Sequence, residues 1–392
     1  MGVPTPGAIG LSMSRAYIHR VALPRLVVEA ASSHDQAVAT PVYSRVTALA
    51  TCVRGRSPRA REVSPGPCQR ILRCAITMAR TEPDTLRPAH LRRSATLQPT
   101  VSVTPMHRSQ LVTDQQRESF HRDGFLLLRE FHDVARDVEP IQRGIYEIIG
   151  MLARKHGLHE GRPAFSPETF DAGHRALNEL DRRVGGEIYD AVKHLPPFLR
   201  LVCNERYDRV FSELWDTDLC GVATSGYGIR IDNPGEERFR ADWHQEYHVH
   251  PRSMHGVVFW TPLMPVDEEL GGPRVCVGSH ADGLVPVHLA DAQHPEKTGP
   301  YGWILSDRDA RIAGYDLVAP PIDPCDLLVI DFLVLHSSGH NVSERARWSI
   351  QSRYFDFREP TGVENSWHGP IRDAAQLSAT YPNLVDGAEN PR

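Results

Sequence analysis

Beyond Met106 the apolar residues fall into two successive periods, helical at first and strand-like later. Thr113-Asp-Gln-Gln116 has the form of a capping box and predicts a short helix through Phe120, stopped by Asp123-Gly124. The apolar run Phe125–Phe131 is a candidate strand. Pro140 suits a helical first turn, and Ile141, Ile145, Ile148, Ile149 and Leu152 then recur at helical spacing up to Gly157. Residues 166–194 read as helical but polar. Pro196-Pro197 opens a further helix whose apolar positions are Phe198, Leu201, Val202, Val210, Phe211 and Leu214. From Cys220 onward the texture is strands and turns. The strands expected are Gly226–Ile231, Met254–Pro262, Arg274–Gly278, Asp316–Ala319, Asp326–Leu335 and Arg347–Phe357. Asn233-Pro-Gly235, Gly271-Gly-Pro273 and Pro320-Pro321 punctuate them.

Helices first and many strands afterwards is an α+β pattern. With eight or so strands, the usual solution is a sandwich or jelly roll flanked by N-terminal helices. The ordered domain is expected over 106–375, with a helical part at 106–219 and a strand core at 220–360. Residues 376–392 are set apart as a C-terminal tail.

Composition isolates the first 105 residues. They hold 14 Arg, no Lys and 5 acids, and only two of the chain's 29 aromatic residues, Tyr17 and Tyr43. So few aromatics cannot pack a core, and the segment reads as a disordered or spurious N-terminal extension. An Arg-rich targeting segment is the alternative reading. The whole chain carries a net charge of −5, which argues against a nucleic-acid binder. No apolar run is long enough for a membrane span. The seven Cys are scattered and none forms CxxC. A reducing compartment, the cytoplasm, is expected, and a zinc-thiolate site is not.

A metal would therefore need His and carboxylate ligands. Two His and one carboxylate on one face leave positions open for a chelating co-substrate and oxygen. His-x-Asp/Glu is a weak signal by itself, because twenty His and 49 acids produce several pairs by chance. Four occur: His121/Asp123, His244/Glu246, His280/Asp282 and His294/Glu296. His244, in Asp-Trp-His-Gln-Glu-Tyr just before an apolar strand, has the best context, with His280 as competitor. A distal ligand is expected at the end of the strand Asp326–Leu335. His336 is preferred there because it still belongs to the strand, whereas His340 lies past Gly339 in a turn. On the next strand, alternation puts Arg347, Ser349, Gln351 and Arg353 on one face. A buried Arg there calls for an anionic partner, either a dicarboxylate co-substrate or a structural acid.

Several motifs, taken in order, resemble the phytanoyl-CoA dioxygenase family. They are Asp123-Gly-Phe-Leu-Leu-Leu-Arg129, Trp243-His-Gln-Glu246, Gly271-Gly-Pro-Arg, Gly278-Ser-His280, and Leu335-His-Ser-Ser-Gly-His-Asn341 followed by Arg347. The resemblance covers roughly 106–360. It implies a double-stranded β-helix and an Fe(II)- and 2-oxoglutarate-dependent dioxygenase that uses O2 to hydroxylate a small molecule, releasing succinate and CO2. It places His244, Glu246 and His336 on the iron ligands and Arg347 on the arginine that binds the distal carboxylate of 2-oxoglutarate. Ser349 completes an Arg-x-Ser pattern, and Arg230 falls where the family often has a basic residue; it is expected to face the co-substrate or substrate carboxylate, with an outward salt bridge as the alternative. His280 becomes a turn residue. Many members carry Asp where this chain has Glu246. Halogenating relatives have a small residue there, so the carboxylate implies hydroxylation. No CoA-binding signature accompanies the motifs.

Two rival readings belong to other classes. A metal-dependent cupin-like enzyme that does not use 2-oxoglutarate would need His244, Glu246 and His336 but not Arg347. A non-catalytic jelly-roll binding protein would need none of them. His248, His250, Arg252 and His255 read either as a cationic rim for an anionic substrate or as a solvated loop.

Overall fold

Thr113 and Gln116 form the reciprocal capping box in the computed structural model, which describes residues 110–158 and 161–386. The extension expected over 1–105 lies outside the described residues. Helix α1 (Asp114–Asp123) runs slightly past its expected end. Gly124, at φ +79°, closes it with its N–H on the Phe120 carbonyl at 2.8 Å. Only glycine adopts that left-handed conformation without strain. Next come β1 (Phe125–Leu128), α2 (Glu139–Lys155), α3 (His174–Leu180), α4 (Arg182–Val192), α5 (Pro196–Val202) and α6 (Glu205–Trp215). The single polar helix expected over 166–194 is two helices. Asp181 takes an extended conformation and accepts a hydrogen bond from Arg183 N–H to start α4. Asn204 divides α5 from α6 in the same way.

The strands are β2 (Cys220–Val222), β3 (Gly228–Asp232), β4 (Gly256–Pro262), β5 (Pro273–Cys276), β6 (Val287–His288), β7 (Ile304–Leu305), β8 (Leu317–Val318), β9 (Leu327–Asp331), β10 (His336–Ser338) and β11 (Arg347–Asp356). Short helices α7 (Arg308–Ile312), α8 (Pro360–Glu364) and α9 (Ala374–Thr380) complete the set. All named pairings are antiparallel. A six-stranded sheet has the order β1-β9-β4-β11-β2, with β3 also on β11; smaller sheets are β10-β5-β8 and β6-β7.

Strand alternation gives the large sheet two chemically different faces. On one face Val257, Phe259, Val329, Trp348, Ile350 and Tyr354 share a core with Ile141, Ile145, Phe198 and Phe211 of the helices. The opposite face carries Ile330, Val258, Trp260, Arg230, Gln351 and Arg353, which line a cavity of about 300 Å³. His336, Ser337 and Ser338 of the small sheet line it as well.

The expected strand Asp326–Leu335 is shorter, and His336, expected to continue it, belongs to another strand in a different sheet. β9 ends at Asp331, and the chain crosses to begin β10 at His336. The apolar pattern runs through because Phe332, Val334 and Leu335 are buried in the crossing too. The C-terminal segment set apart as a tail holds all but the first two residues of α9. Leu377 is buried with Trp243, Trp303 and Leu335, and Asp386 N–H bonds the Val287 carbonyl at 3.0 Å. Among the described residues no helix is long and apolar enough to cross a membrane.

Asp331 ends β9 with a fully buried carboxyl that accepts a hydrogen bond from Leu333 N–H at 2.7 Å. Burial pushes it up from 3.8 to about 7. Between about pH 4 and about pH 7 the folded chain therefore holds a proton that the unfolded chain has released, so stability falls as pH rises through that window. The ionised group costs about 4 kcal/mol by pH 8. Asp331→Asn keeps the acceptor oxygen and is expected to raise the melting temperature at pH 8 while leaving it little changed at pH 4. Equal effects at both pH values would mean that Asp331 ionises normally.

Candidate metal centre and co-substrate pocket

His244 and His336 meet as a cross-strand pair. Each donates its backbone N–H to the other's carbonyl, at 3.0 and 3.1 Å, in an isolated antiparallel bridge. Residues paired in this way point their side chains to one side of the sheet, and the two rings lie 4.2 Å apart. After His244 the chain enters a single 3-10 turn at Glu246–His248, which brings Glu246 close to both rings. Gln245, wholly buried between them, staples the motif. Its amide nitrogen donates to the Gly283 and Leu333 carbonyls at 2.7 and 2.6 Å, and its oxygen accepts from Val285 N–H at 2.9 Å. The spacing of the motif does not reveal that role. On the other side, Gly271 at φ +70° lies against the Gly339 backbone, where a Cβ would come within 2.7 Å of the carbonyl oxygen. This close approach seats the loop that follows β10.

The donor atoms converge. One atom from each of His244, Glu246 and His336 lies within 4.8 Å of the others, and among the described residues this is the group that could hold a metal ion. Glu246 Oε2 is 3.6 Å from His244 Nε2 and 3.8 Å from His336 Nε2. Both separations are too long for hydrogen bonds and somewhat wider than the roughly 3 Å between neighbouring ligands on one ion. His244 Nδ1 sits 2.7 Å from the Asp242 carbonyl, and His336 Nδ1 sits 3.0 Å from the Val334 carbonyl. A carbonyl can only accept, so in both rings Nδ1 carries the proton and Nε2 keeps its lone pair toward the shared point. Burial, with His244 alongside, pushes the His336 imidazole down to about 3, which keeps it neutral as a ligand must be. Burial alone would raise the Glu246 carboxyl. Arg353, with His244 and His250, overrides it and holds the group well below the usual carboxylate range. Glu246 as a carboxylate and His336 as a neutral imidazole suit a divalent cation.

Arg347 is buried behind the cavity wall, its side chain 2% exposed and bonded to Ser338, which lines the cavity. β3 and β11 run in a register that sets Arg347 opposite Asp232 and Ser349 opposite Arg230. Asp232 bridges the two arginines, accepting from Arg230 Nη2 at 2.6 Å and from Arg347 Nη2 at 2.8 Å. Arg347 Nη2 also donates to Ser338 Oγ at 3.0 Å. Burial would raise Asp232, but Arg230 and Arg347 together hold it well below its ordinary range. Arg347 Nε and Nη1 and the Ser349 hydroxyl are buried without a hydrogen-bond partner in the protein. Two guanidinium groups against one carboxylate leave one positive charge, with unmet donors next to Ser338 of the cavity wall. That arrangement receives an anion.

Of the other histidines, His280 and His340 lie elsewhere, whereas His248 and His250 line the cavity and His250 Nε2 comes within 3.5 Å of Glu246 Oε1. His280 packs on Gly124 with Nε2 on the His121 carbonyl at 3.0 Å, away from the cluster. His340 is exposed and pairs with Glu237 at 2.8 Å. His248, His250 and Arg252 form neither a cationic rim nor a solvated loop. All three are buried, with His248 on the Val285 carbonyl at 2.8 Å and Arg252 against His250 at 3.0 Å. Arg345 pairs with Asp171 at 2.7 Å beside the Phe170 ring. Arg353 does reach the cavity, and its partner there is Glu246.

The description "Phytanoyl-CoA dioxygenase (PhyH)" belongs to a family model that matches residues 120–349, a span containing Arg230, Asp232, His244, Glu246, His336, Arg347 and Ser349. The chain belongs to the phytanoyl-CoA dioxygenase family. No curated protein sequence matches this family member. Among solved structures it is similar to the non-heme alpha ketoglutarate dependent epimerase SnoN from nogalamycin biosynthesis, at 15% identity over 66% of this chain and 92% of that chain, with a TM-score of 0.39. It is also similar to EctD from S. alaskensis with 2-oxoglutarate and 5-hydroxyectoine (17% identity, 75% and 97% covered, TM-score 0.41). A third is AviO1 from Streptomyces viridochromogenes Tue57 (18% identity, 64% and 98% covered, TM-score 0.40).

In this phytanoyl-CoA dioxygenase family chain, Arg230 has a testable place. Removing it leaves Asp232 to neutralise Arg347 alone. Arg230→Ala is expected to weaken 2-oxoglutarate binding about tenfold, as expected when a nearby charge worth roughly 1–2 kcal/mol is lost. Calorimetric titration of the metal-loaded protein reads this directly. An unchanged dissociation constant would place Arg230 outside the co-substrate's field.

Proposed function

We propose that this protein is an Fe(II)- and 2-oxoglutarate-dependent dioxygenase with a double-stranded β-helix core, hydroxylating a C–H bond of a small molecule. The observation that carries the reading is the juxtaposition of two features. Donor atoms of His244, Glu246 and His336 converge on one point, and an arginine with unmet buried donors, Arg347, is joined through Ser338 to the wall of the cavity they line. A cupin-like metal enzyme without 2-oxoglutarate would have no use for the second feature. Membership of the phytanoyl-CoA dioxygenase family supports the same reading.

The residues divide the work. His244, Glu246 and His336 would hold the iron on one side. Arg347, with Ser349 and the Asp232–Arg230 pair, would take the distal carboxylate of 2-oxoglutarate. Bound iron with 2-oxoglutarate and O2 supplies the oxidising chemistry, with succinate and CO2 as co-products. The protein's part is orientation and exclusion of water. Trp243, Trp260 and Trp303 give the cavity apolar walls, and its volume of about 300 Å³ suits a small metabolite. Glu246 supplies an anionic ligand at the position where a halide would otherwise bind, which favours hydroxylation.

The test is an anaerobic titration with Fe(II) and then 2-oxoglutarate, followed by a substrate screen that reads succinate release on admitting oxygen. One equivalent of each is expected to bind, the second only after the first. Metal uptake without 2-oxoglutarate binding would return the protein to the cupin-like alternative.

A further inference from the structure

Glu246 is held from the side that faces away from the two imidazoles. Its Oε1 accepts a hydrogen bond from Arg353 Nε at 2.8 Å and lies 3.5 Å from His250 Nε2, while Oε2 faces His244 and His336. The remaining nitrogens of Arg353 are also occupied. Nη1 donates to the Gly226 carbonyl at 2.9 Å and Nη2 to Gln351 Oε1 at 2.8 Å. The guanidinium is thus fixed in plane by a backbone carbonyl and a neighbouring side chain, with each of its three nitrogens already donating. That distinguishes it from Arg347, whose Nε and Nη1 are unmet.

We propose that Arg353 is a positioning residue that confines Glu246 to one metal-facing oxygen and so keeps open the coordination positions a chelating co-substrate needs. The proposal rests on the Fe(II)/2-oxoglutarate reading above. A glutamate has one more rotatable bond than an aspartate, so its carboxylate can turn both oxygens to an ion unless something holds one back. A charge-assisted hydrogen bond between groups only 6% and 15% exposed is a strong restraint, since little solvent screens it. Binding through both oxygens would use a position that two-point chelation or oxygen requires. Gln351 is part of the same restraint through Nη2, which gives a reason for its place on the cavity face of β11.

Co(II) loaded into the protein tests this, because its visible absorption reports coordination number and symmetry without turnover. In Arg353→Gln the metal-free protein is expected to keep a cooperative melt. Its Co(II) spectrum should depart from wild type, and its affinity for 2-oxoglutarate at saturating metal should fall about tenfold, the lower end for losing a partner that orients a ligand. Arg353→Lys keeps the cation with fewer donors and should fall between. A folded Arg353→Gln protein with the wild-type spectrum and wild-type 2-oxoglutarate affinity overturns the proposal. If that variant does not fold, Gln351→Met decides, since it frees Nη2 and keeps the charge; a shifted spectrum supports the restraint and an unshifted one overturns it. A wild-type protein that takes up no Co(II) overturns the metal reading itself, whereas a failure confined to the variants removes only the role of Arg353.

Discussion

His336→Ala is expected to fold normally and to lose its iron. The strand geometry at this position is made by the backbone, through the paired N–H and carbonyl bonds to His244, and alanine preserves both. What disappears is the Nε2 donor and the bond from Nδ1 to the Val334 carbonyl. An unmet carbonyl beside an open cavity costs about 1 kcal/mol, which a folded domain tolerates. The remaining donors, His244 and Glu246, cannot enclose a divalent cation. Their affinity should fall by more than the roughly 10–100-fold that losing an outer partner of a ligand typically costs. Gel-filtered protein assayed for bound iron should be empty, with a metal-free melting curve within a few degrees of wild type. Oxygen-dependent succinate release should vanish with it. Iron retained at one equivalent in this variant would break the assignment of His336, and His250, which also approaches Glu246, would become the first alternative to examine.

Much of this site was legible in the sequence because its parts depend on short-range geometry. A His-x-Glu pair before an apolar strand, and a His at the far end of another, are local patterns, and strand alternation set Arg347, Ser349, Gln351 and Arg353 on one face. The large sheet bears out that alternation, with Trp348, Ile350 and Tyr354 turned to the helices. What escaped was anything that depends on register between distant strands. Asp232 lies 115 residues from Arg347 and becomes its partner only through the alignment of β3 with β11. Arg353 is on the expected face, but its attachment to Glu246, 107 residues away, follows from tertiary packing. The break between β9 and β10 was invisible for a related reason. Residues on both sides of a sheet-to-sheet crossing are buried, so hydrophobicity does not mark it. The short helix breaks at Asp181 and Asn204 are different, since both residue types announce a cap to a reader who weights them.

Arg347→Ala is expected to leave metal binding intact and to weaken 2-oxoglutarate severely. Before any ligand binds, the guanidinium is stripped of water and only Nη2 is satisfied, by Asp232 and Ser338. An incoming carboxylate would meet Nε or Nη1, already desolvated and fixed, so the contact forms with little further cost. Losing one partner of a buried charged contact typically costs about 2–5 kcal/mol. In affinity that is roughly 30-fold to several thousand-fold. Asp232 keeps Arg230 as partner, so the substitution does not strand a buried carboxylate and the melt should survive. Arg347→Lys should rescue poorly, because an ammonium cannot serve Asp232, Ser338 and the ligand from one planar fork. The measurement is a 2-oxoglutarate titration of the Fe(II)-loaded variant without oxygen, beside an iron assay that should read as wild type. Because Arg345 is committed to Asp171 and Arg353 to Glu246, an unchanged dissociation constant would move the anchor to Arg230. Arg230→Ala alone would then have to show the severe loss expected here of Arg347→Ala, well beyond tenfold.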